Sequence, residues 1–330
     1  GFLVLSFYAV IAGWALRYVF VTAKGRFTGA SPEVVGEIFG TLLANPLQLV
    51  FWQTLIIGVT VFVVAKGVRK GLEKTVTLLM PGMFILLLVM VAYAMTTGSF
   101  FQGVEFLFKP DFSKLTRSGV LEALGHACFT LSLASGVMIM YGAYLPEETS
   151  IPGSAAAVAI SDTSIALLAG LVIFPLVFAN GMDPAAGPGL VFVTLPLAFG
   201  QMPGGVFFAT LFFVLLTFAA WTSAISLMEP AVAWIVERFS KTRAQAAVAI
   251  GLLIWVVGFG TVLSFNVLSD FTFWRGTIFD NLDHLTLNIM LPLGGLLIVV
   301  FAGWVMCRNS TADELGGSGT VYKLWRFLAR

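Results

Sequence analysis

Residues 126–142, which read HACFTLSLASGVMIMYG, place hydroxyl and glycine residues in the middle of an apolar segment. Thr130, Ser132, Ser135 and Gly136 stand where a membrane helix would present side chains to lipid. Irregular backbone at membrane depth is tolerated only where it lines a cavity or is buried in protein. Unwound segments of this kind offer carbonyl groups to Na⁺ and helix N-termini to carboxylates. The stretch therefore predicts a helix that is broken at the midplane to present backbone groups to a ligand.

Few ionisable residues lie inside the apolar segments, and Asp162, Glu229 and His126 are the ones that need an explanation. A charged side chain at mid-membrane costs roughly 2.5–3.5 kcal/mol on insertion scales, so Asp162 predicts a functional carboxylate. The alternative is a structural carboxylate bonded to neighbouring hydroxyls. Glu229 precedes Pro230, which frees a backbone carbonyl, and a helix-packing hydrogen bond is favoured there over a ligand role. His126, near a helix start, is interpreted as a structural histidine.

A further small-residue face lies in the stretch AAWTSAIS at 219–226. Ala219, Thr222 and Ser223 follow the i, i+3, i+4 spacing and therefore share one face of a helix. Small and hydroxyl residues on such a face usually indicate close helix packing. From the spacing alone, packing is favoured over an ion site.

The elements that position these residues are membrane helices. The chain is 58% hydrophobic and 11% charged, with a mean hydropathy of +0.97, whereas soluble domains are roughly 25% charged. Apolar runs of about 20 residues can span a bilayer as helices. Because the strict alternation of a membrane β-barrel is missing, the sequence predicts an all-α helical bundle. Eight segments qualify: 2–22, 46–65, 75–97, 119–144, 154–180, 205–236, 246–265 and 285–306.

The distribution of charge among the loops predicts how the helices are oriented across the membrane. Lys and Arg residues concentrate in the loops after the second, sixth and eighth segments, which predicts that these loops are cytoplasmic. The net charge of +1 gives no indication of nucleic-acid binding. The loop 181–204 is proline-rich and hydrophobic, and either packs back into the protein or skims the membrane. Cys128 and Cys307 predict two free thiols.

Other classes of membrane protein fit the residues less well. The sequence holds neither an HExxH zinc motif nor a metal-ligand cluster. A rhomboid-type serine protease needs Gly-x-Ser-Gly, but Ser135-Gly136 follows Leu-Ala, and the second histidine, His284, is expected near the outer surface. A symmetric pore-loop signature, as in channels, is also missing. A transporter rather than an enzyme is therefore favoured.

Several stretches, in order along the chain, resemble the neurotransmitter:sodium symporter family. FTLSLASG (129–136), followed by Tyr141 and Tyr144, resembles the broken sixth helix of that family, and FAAWTSAIS (218–226) resembles the eighth. SFYAVIAGW (6–14) resembles the third helix, and KPDFSKLT (109–116) resembles the loop before the sixth. FDNLDHLT (279–286) and NIMLPLGGLL (288–297) resemble the tenth helix. The resemblance covers nearly the whole chain.

The resemblance implies one transmembrane domain over residues 1–330, with the inverted-repeat architecture of the leucine transporter and about eight transmembrane helices. These are family helices three to ten, so we expect the natural protein to be longer at both ends. Residues 1–97 would hold the last three helices of the first repeat and 119–306 the second repeat. Residues 307–330 would form a cytoplasmic segment that leads to a further helix.

The resemblance also assigns site residues position by position. Asp162 stands where the family usually has an asparagine, and we expect its charge to make chloride unnecessary. Ala219 is expected to act through its carbonyl, which reverses the packing interpretation of that face. The assignments are substrate-binding Val4, Tyr8, Phe129, Thr130, Ser132, Ser135 and Leu227; sodium site 1, Thr130 and Asp162; sodium site 2, Ala219, Thr222 and Ser223; and gates, Tyr144, Glu237 and Asp283.

The function implied by the resemblance is sodium-coupled symport of an amino acid by alternating access. We expect a multi-pass protein of the bacterial cytoplasmic membrane, with Na⁺, an amino acid and the lipid bilayer as partners. Because family helix one supplies roughly half of the ligands, each of the two sodium sites would be only half present in this chain. The alternatives are a binding-only amino-acid sensor and another secondary transporter of the same inverted-repeat fold.

Overall fold

The computed structural model describes residues 1–67, 69–146, 148–184, 187, 189–315 and 319–329. Some of the gaps fall in the loop 181–204 and in the segment 307–330. Every regular element in the described residues is helical. The α-helices are α1 (Phe2–Ala23), α2 (Pro32–Leu43), α3 (Pro46–Lys66), α4 (Arg69–Ala94), α5 (Phe100–Phe108), α6 (Arg117–Thr130), α7 (Val137–Gly142), α8 (Ile151–Ala179), α9 (Gly189–Gln201), α10 (Gly205–Phe239), α11 (Arg243–Ser264), α12 (Ile278–His284), α13 (Leu291–Val300), α14 (Arg308–Glu314) and α15 (Thr320–Leu328).

Three short helices are not of the α type. Phe112–Lys114 is a 3₁₀ turn, and the segments Leu285–Met290 and Phe301–Val305 are π-helical. The π-helical segments join α12, α13 and the residues that follow into one apolar stretch, Ile278–Val305.

Among the residues that the structure describes, six helical stretches are long and apolar enough to cross a membrane: α1, α3, α8, α10, α11 and Ile278–Val305. The predicted span 119–144 is divided between α6 and α7, and the predicted span 75–97 falls largely in α4. The predicted all-α bundle with one broken helix is therefore confirmed.

Local sequence explains where several helices begin and end. Asn45 precedes Pro46 and accepts a hydrogen bond from the Gln48 amide, 3.0 Å away, so that it caps α3. Gly67 ends α3 with a left-handed φ of 64°, a conformation that costs glycine little. Thr242 and Gln245 form a reciprocal capping box at the start of α11.

The described chain divides into two compact units. The first contains Gly1 and residues 112–164 and 282–330, and the second contains residues 2–111 and 165–281. In the second unit, a buried aromatic core surrounds Trp14 and Tyr18 of α1. The Tyr18 ring lies 5.1 Å from the Phe192 ring of α9 and 5.0 Å from the Phe213 ring of α10.

The hydrophobic loop 181–204 packs back into the second unit. Its described part contains α9, in which Phe192, Leu195, Leu197 and Phe199 are buried in the aromatic core. The Gly200 carbonyl accepts a hydrogen bond from the Gly29 amide, 3.0 Å away. The described part of the loop therefore agrees with the packed alternative.

Candidate functional site

In the first unit, the predicted helix break is present. α6 ends at Thr130 and α7 begins at Val137. At the end of α6, the Leu133 amide donates to the Cys128 carbonyl at 2.8 Å, and the Ser132 amide donates to the Phe129 carbonyl at 3.0 Å. This pair of bonds is the Schellman pattern, in which the residue corresponding to Ser132 is left-handed.

The break holds three residues at positive φ: Ser132 at 54°, Ala134 at 60° and Gly136 at 89°. Left-handed backbone costs an L-residue roughly 1–2 kcal/mol, so only Gly136 adopts it cheaply. Backbone strain of this kind concentrates at ligand sites. The residues at positive φ therefore mark the unwound segment as a candidate ligand site.

Hydroxyl groups stabilise the break from within. The Ser135 hydroxyl is buried, donates to the Ser132 carbonyl at 2.8 Å, and lies 3.4 Å from the Val137 amide at the start of α7. The Thr130 hydroxyl donates weakly to the Ala127 carbonyl, 3.4 Å away. Phe129 is half-buried beside it. The Ser135 hydroxyl thus bonds within the break and lies near the first residue of α7, a role that its assignment as a pocket residue does not include.

Small residues place the broken helix against the π-helical segment of the same unit. A Cβ atom at Gly125 would lie 2.2 Å from the Leu287 carbonyl oxygen, and one at Gly294 would lie 3.0 Å from the Ala134 Cβ. Glycine at these positions allows backbones to approach closely, as is usual between membrane helices. The break is therefore held by close packing as well as by its own hydrogen bonds.

Asp162 lies on α8, in the same unit as Thr130. Its side chain is half-buried and has no hydrogen-bond partner among the described residues. The nearby Ser164 hydroxyl instead donates to the Ile160 carbonyl of its own helix, 2.7 Å away. The described part of the chain therefore shows no bond of the structural-carboxylate alternative.

In the second unit, α10 carries the face formed by Ala219, Thr222 and Ser223. The Thr222 hydroxyl donates to the Ala219 carbonyl, and the two oxygens lie 2.9 Å apart. Ala219 and Thr222 also border a small, open recess. Its remaining lining is apolar and comes from α4 and α10: Leu79, Met80, Met83, Leu215 and Phe218. This part of the face is thus not fully packed against a neighbouring helix.

The structure joins that face to α1. α1, which carries Tyr8, packs against α10, and the Tyr8 and Ser223 side chains lie close enough to interact. Val4, one turn before Tyr8, is buried, and so is Leu227, one turn beyond Ser223. Val4, Tyr8 and the predicted site residues of α10 thus lie on two packed helices of the second unit. Phe129, Thr130, Ser132 and Ser135 belong to the other unit.

Among the predicted gate residues, Tyr144 lies just beyond α7 and is about half exposed. Glu237 is exposed in the last turn of α10. Asp283 is half-buried in α12. Each gate residue thus lies at or just beyond the end of a helix.

Glu229 is held in an ion pair. Its carboxylate lies 2.5 Å from Arg243 Nη2. The hydrogen-bonding interpretation favoured from the sequence is therefore confirmed for this residue. The identity of the partner was not predictable, because Arg243 lies fourteen residues away and resembles an ordinary cytoplasmic basic residue in the sequence.

Sequence reasoning also missed Asn281, which is buried and hydrogen bonded at both ends of its amide. The asparagine within the motif FDNLDHLT was the signal in the sequence from which this residue could have been found. His126 is exposed, and His284 is hydrogen bonded to Asn288 at 2.8 Å.

Comparison with known proteins shows extensive similarity. The chain is 40% identical to a sodium-dependent transporter of Bacillus subtilis (strain 168), over all of this chain and 74% of that protein. It is 33% identical to a sodium-dependent transporter of Haemophilus influenzae, over 98% of this chain and 72% of that protein. The crystal structure of MhsT in complex with L-phenylalanine matches with a TM-score of 0.95 and 42% identity, over all of this chain and 76% of that one.

This match confirms the leucine-transporter-type fold. A model of the Sodium:neurotransmitter symporter family matches residues 39–314. The resemblance of the motifs, the broken helix and the whole-chain similarity agree, and the chain belongs to the sodium:neurotransmitter symporter family, whose members are membrane transporters and not enzymes.

Proposed function

We propose that this sodium-coupled transporter carries an amino acid with Na⁺ across the bacterial cytoplasmic membrane by alternating access. The observation that carries the proposal is the strained break between Thr130 and Val137, because it frees backbone groups at the depth where a carboxylate and Na⁺ can bind. The solved structure of MhsT, 42% identical, contains L-phenylalanine, which supports an amino acid as the substrate class.

The second sodium site is proposed on α10. Ala219 offers a carbonyl, and Thr222 and Ser223 offer hydroxyls, which gives an all-oxygen donor set of the kind that hard cations prefer. The two oxygens of Ala219 and Thr222 already lie 2.9 Å apart. On binding Na⁺, the Thr222 hydroxyl would turn its proton away and present a lone pair to the ion.

The first sodium site is proposed to use Thr130 and Asp162. A carboxylate that lacks a hydrogen-bond partner among the described residues supports a ligand role. In the proposed scheme the substrate carboxylate completes this site, so ion and amino acid bind with reciprocal coupling. The negative charge of Asp162 would take the part that chloride has elsewhere in the family, and transport would proceed without chloride.

The amino-acid site is proposed to combine backbone and side-chain groups. Tyr8 would hydrogen bond the substrate carboxylate, and Phe129 would cover it. The side-chain pocket would be formed by Val4, Ser132, Ser135 and Leu227. Tyr144 and Glu237 are proposed for the inner gate and Asp283 for the outer gate.

Equilibrium binding of an amino-acid panel to the full-length protein in detergent, in Na⁺ and in K⁺, tests the proposal. We expect tight binding of one or a few amino acids in Na⁺ only. Thr222→Val should abolish it, because a methyl group replaces the ligand oxygen. Thr217→Val is the matched control, since its hydroxyl also bonds its own helix, 2.6 Å from the Phe213 carbonyl.

Binding that is indifferent to Na⁺ would contradict the proposal. Flux measurements in vesicles separate symport from a binding-only sensor. The symporter must release bound amino acid on the inner side, whereas a sensor would bind in Na⁺ without any accumulation driven by a sodium gradient.

A further inference from the structure

The side chain of Asn281 closes the turn that precedes α12. Its Nδ2 donates to the carbonyl oxygens of Phe273, Gly276 and Thr277 at 2.8, 2.9 and 2.7 Å. Its Oδ1 accepts from the Arg275 amide at 3.1 Å. The residue is only 6% exposed. An amide group is therefore fully used to attach the turn to the first turn of the helix.

A second set of contacts ties the same helix start to α1 and α11. The Phe279 amide donates to the Ser264 hydroxyl at 3.0 Å. The Phe279 ring meets the Phe7 ring edge to face at 5.9 Å and the Phe265 ring at 5.1 Å. Phe7 is the neighbour of Tyr8, and Phe265 in turn packs on Trp14 at 5.1 Å. The start of α12 is thus fixed to the helix that carries Tyr8.

Both the compact unit to which the chain belongs and its helical geometry change after Asn281. It passes from one compact unit to the other between Asn281 and Leu282. From Leu285 to Met290 it is π-helical, a geometry that is frequent at functional sites. Asp283 therefore stands between an anchored helix start and a segment of irregular helix.

We propose that Asn281 is the positioning residue for Asp283, and this rests on the proposed role of Asp283 as the outer-gate acid. Asn281 lies in the first turn of α12, within one turn of Asp283, and its side chain bonds the turn 273–277 to that first turn. These bonds limit the movement of the helix start. The Asp283 carboxylate is then held at one position along the axis of α12. A partner cation can form an ion pair with it there and slow the outward dissociation of bound amino acid.

Asn281→Asp is the sharpest test, because it keeps the shape and replaces the donor with an oxygen that faces three carbonyl oxygens. Asn266→Asp is the matched control. Asn266 Nδ2 also donates to two carbonyl oxygens, those of Leu43 and Val262, but it is not part of α12. Asn281→Ser, which retains one small donor, is the second variant if the aspartate prevents folding.

Two measurements on the full-length protein are needed. Hydrogen exchange of the amides in 273–284 should rise about tenfold in Asn281→Asp, since local opening becomes easier, and should stay unchanged in Asn266→Asp. Outward dissociation of bound amino acid in Na⁺ should accelerate several-fold in Asn281→Asp, as it should in Asp283→Asn. The double variant should show no further increase, because the two residues act through one contact.

Unchanged exchange in 273–284 would overturn the anchor. Raised exchange with an unchanged dissociation rate, or with additive effects in the double variant, would reduce Asn281 to a purely structural residue and overturn the positioning role. If Asp283→Asn itself leaves dissociation unchanged, the gate assignment fails and the positioning role fails with it. If the unmodified protein binds no amino acid in Na⁺, the proposed function is what fails, and the exchange result still reports on the anchor.

Discussion

Arg243 connects three helices through one guanidinium group. Its Nη2 lies 2.5 Å from the Glu229 carboxylate of α10, and its Nε donates to the Val64 carbonyl near the end of α3 at 2.7 Å. The Val64 carbonyl lies in the last turn of α3, where it also accepts from the Gly67 amide at 3.2 Å, and a cation is favourable at a helix C-terminus. The pair therefore stabilises the junction of α3, α10 and α11.

Arg243→Gln should destabilise the protein by about 2–3 kcal/mol, because it leaves a partly buried carboxylate without its cation. Glu229→Gln should cost less, about 1 kcal/mol, since a neutral acceptor remains. Thermal unfolding of the full-length protein in detergent measures both. Arg238→Gln, on the exposed last turn of α10, is the control, and equal effects of Arg243→Gln and Arg238→Gln would contradict the structural role.

Gly125→Ala should disrupt the packing of the broken helix. The added Cβ would lie 2.2 Å from the Leu287 carbonyl oxygen, so one backbone must move, at a cost of about 1–3 kcal/mol. Gly142→Ala is the control, because nothing lies within 4 Å of its added Cβ. Unfolding temperature and amino-acid binding should both fall for Gly125→Ala and be retained for Gly142→Ala. Equal behaviour of the two variants would be evidence against close packing at Gly125.

Tyr18→Phe should leave stability unchanged or raise it by up to about 1–2 kcal/mol. The Tyr18 hydroxyl is fully buried and has no hydrogen-bond partner among the described residues, so its removal ends a desolvation cost. Tyr18→Leu should destabilise instead, because it loses the ring contacts to Phe192 and Phe213. A loss of stability in Tyr18→Phe, measured by thermal unfolding, would mean that the hydroxyl has a partner such as a buried water.

Asp162→Asn should make transport dependent on chloride if the carboxylate supplies the negative charge of the first sodium site. The unmodified protein should take up amino acid equally well in chloride and in gluconate. The variant should be active in chloride and lose at least about tenfold in gluconate, a difference typical of a missing charge partner. Chloride dependence of the unmodified protein would show that Asp162 does not have this role.

Cys307 should be a reactive thiol. The backbone amides of Asn309 and Ser310 hydrogen bond its sulfur and lower the thiol pKa from its usual range. A lowered pKa increases the thiolate fraction at neutral pH, so alkylation should reach its plateau rate at a lower pH than for a free cysteine. Iodoacetamide labelling followed by mass spectrometry measures this rate. The buried Cys128 is the internal control and should react slowly, and equal rates for both thiols would contradict the prediction.

Composition and local motifs were enough to predict the class of protein and the place of the helix break. Long apolar segments have no stable arrangement in water, and within lipid only helices satisfy their backbone groups, so composition specified the bundle. Ser132 and Gly136 interrupt an apolar run with residues that tolerate or cap an unwound backbone, and the structure has the break where these residues lie. The face formed by Ala219, Thr222 and Ser223 could also be predicted from the sequence, because helical spacing alone places the three residues on one side of a helix.

The contacts between distant residues depend on three-dimensional packing. The pairs Arg243 with Glu229 and Phe279 with Phe7 join residues that lie 14 or more positions apart. No local pattern specifies such contacts, since each depends on how close two helices can approach. That distance is set by glycines such as Gly125, whose hydrogen leaves room for a neighbouring carbonyl. Three-dimensional packing likewise decided that the loop 181–204 folds onto the aromatic core, because its composition suits either a protein or a lipid surface.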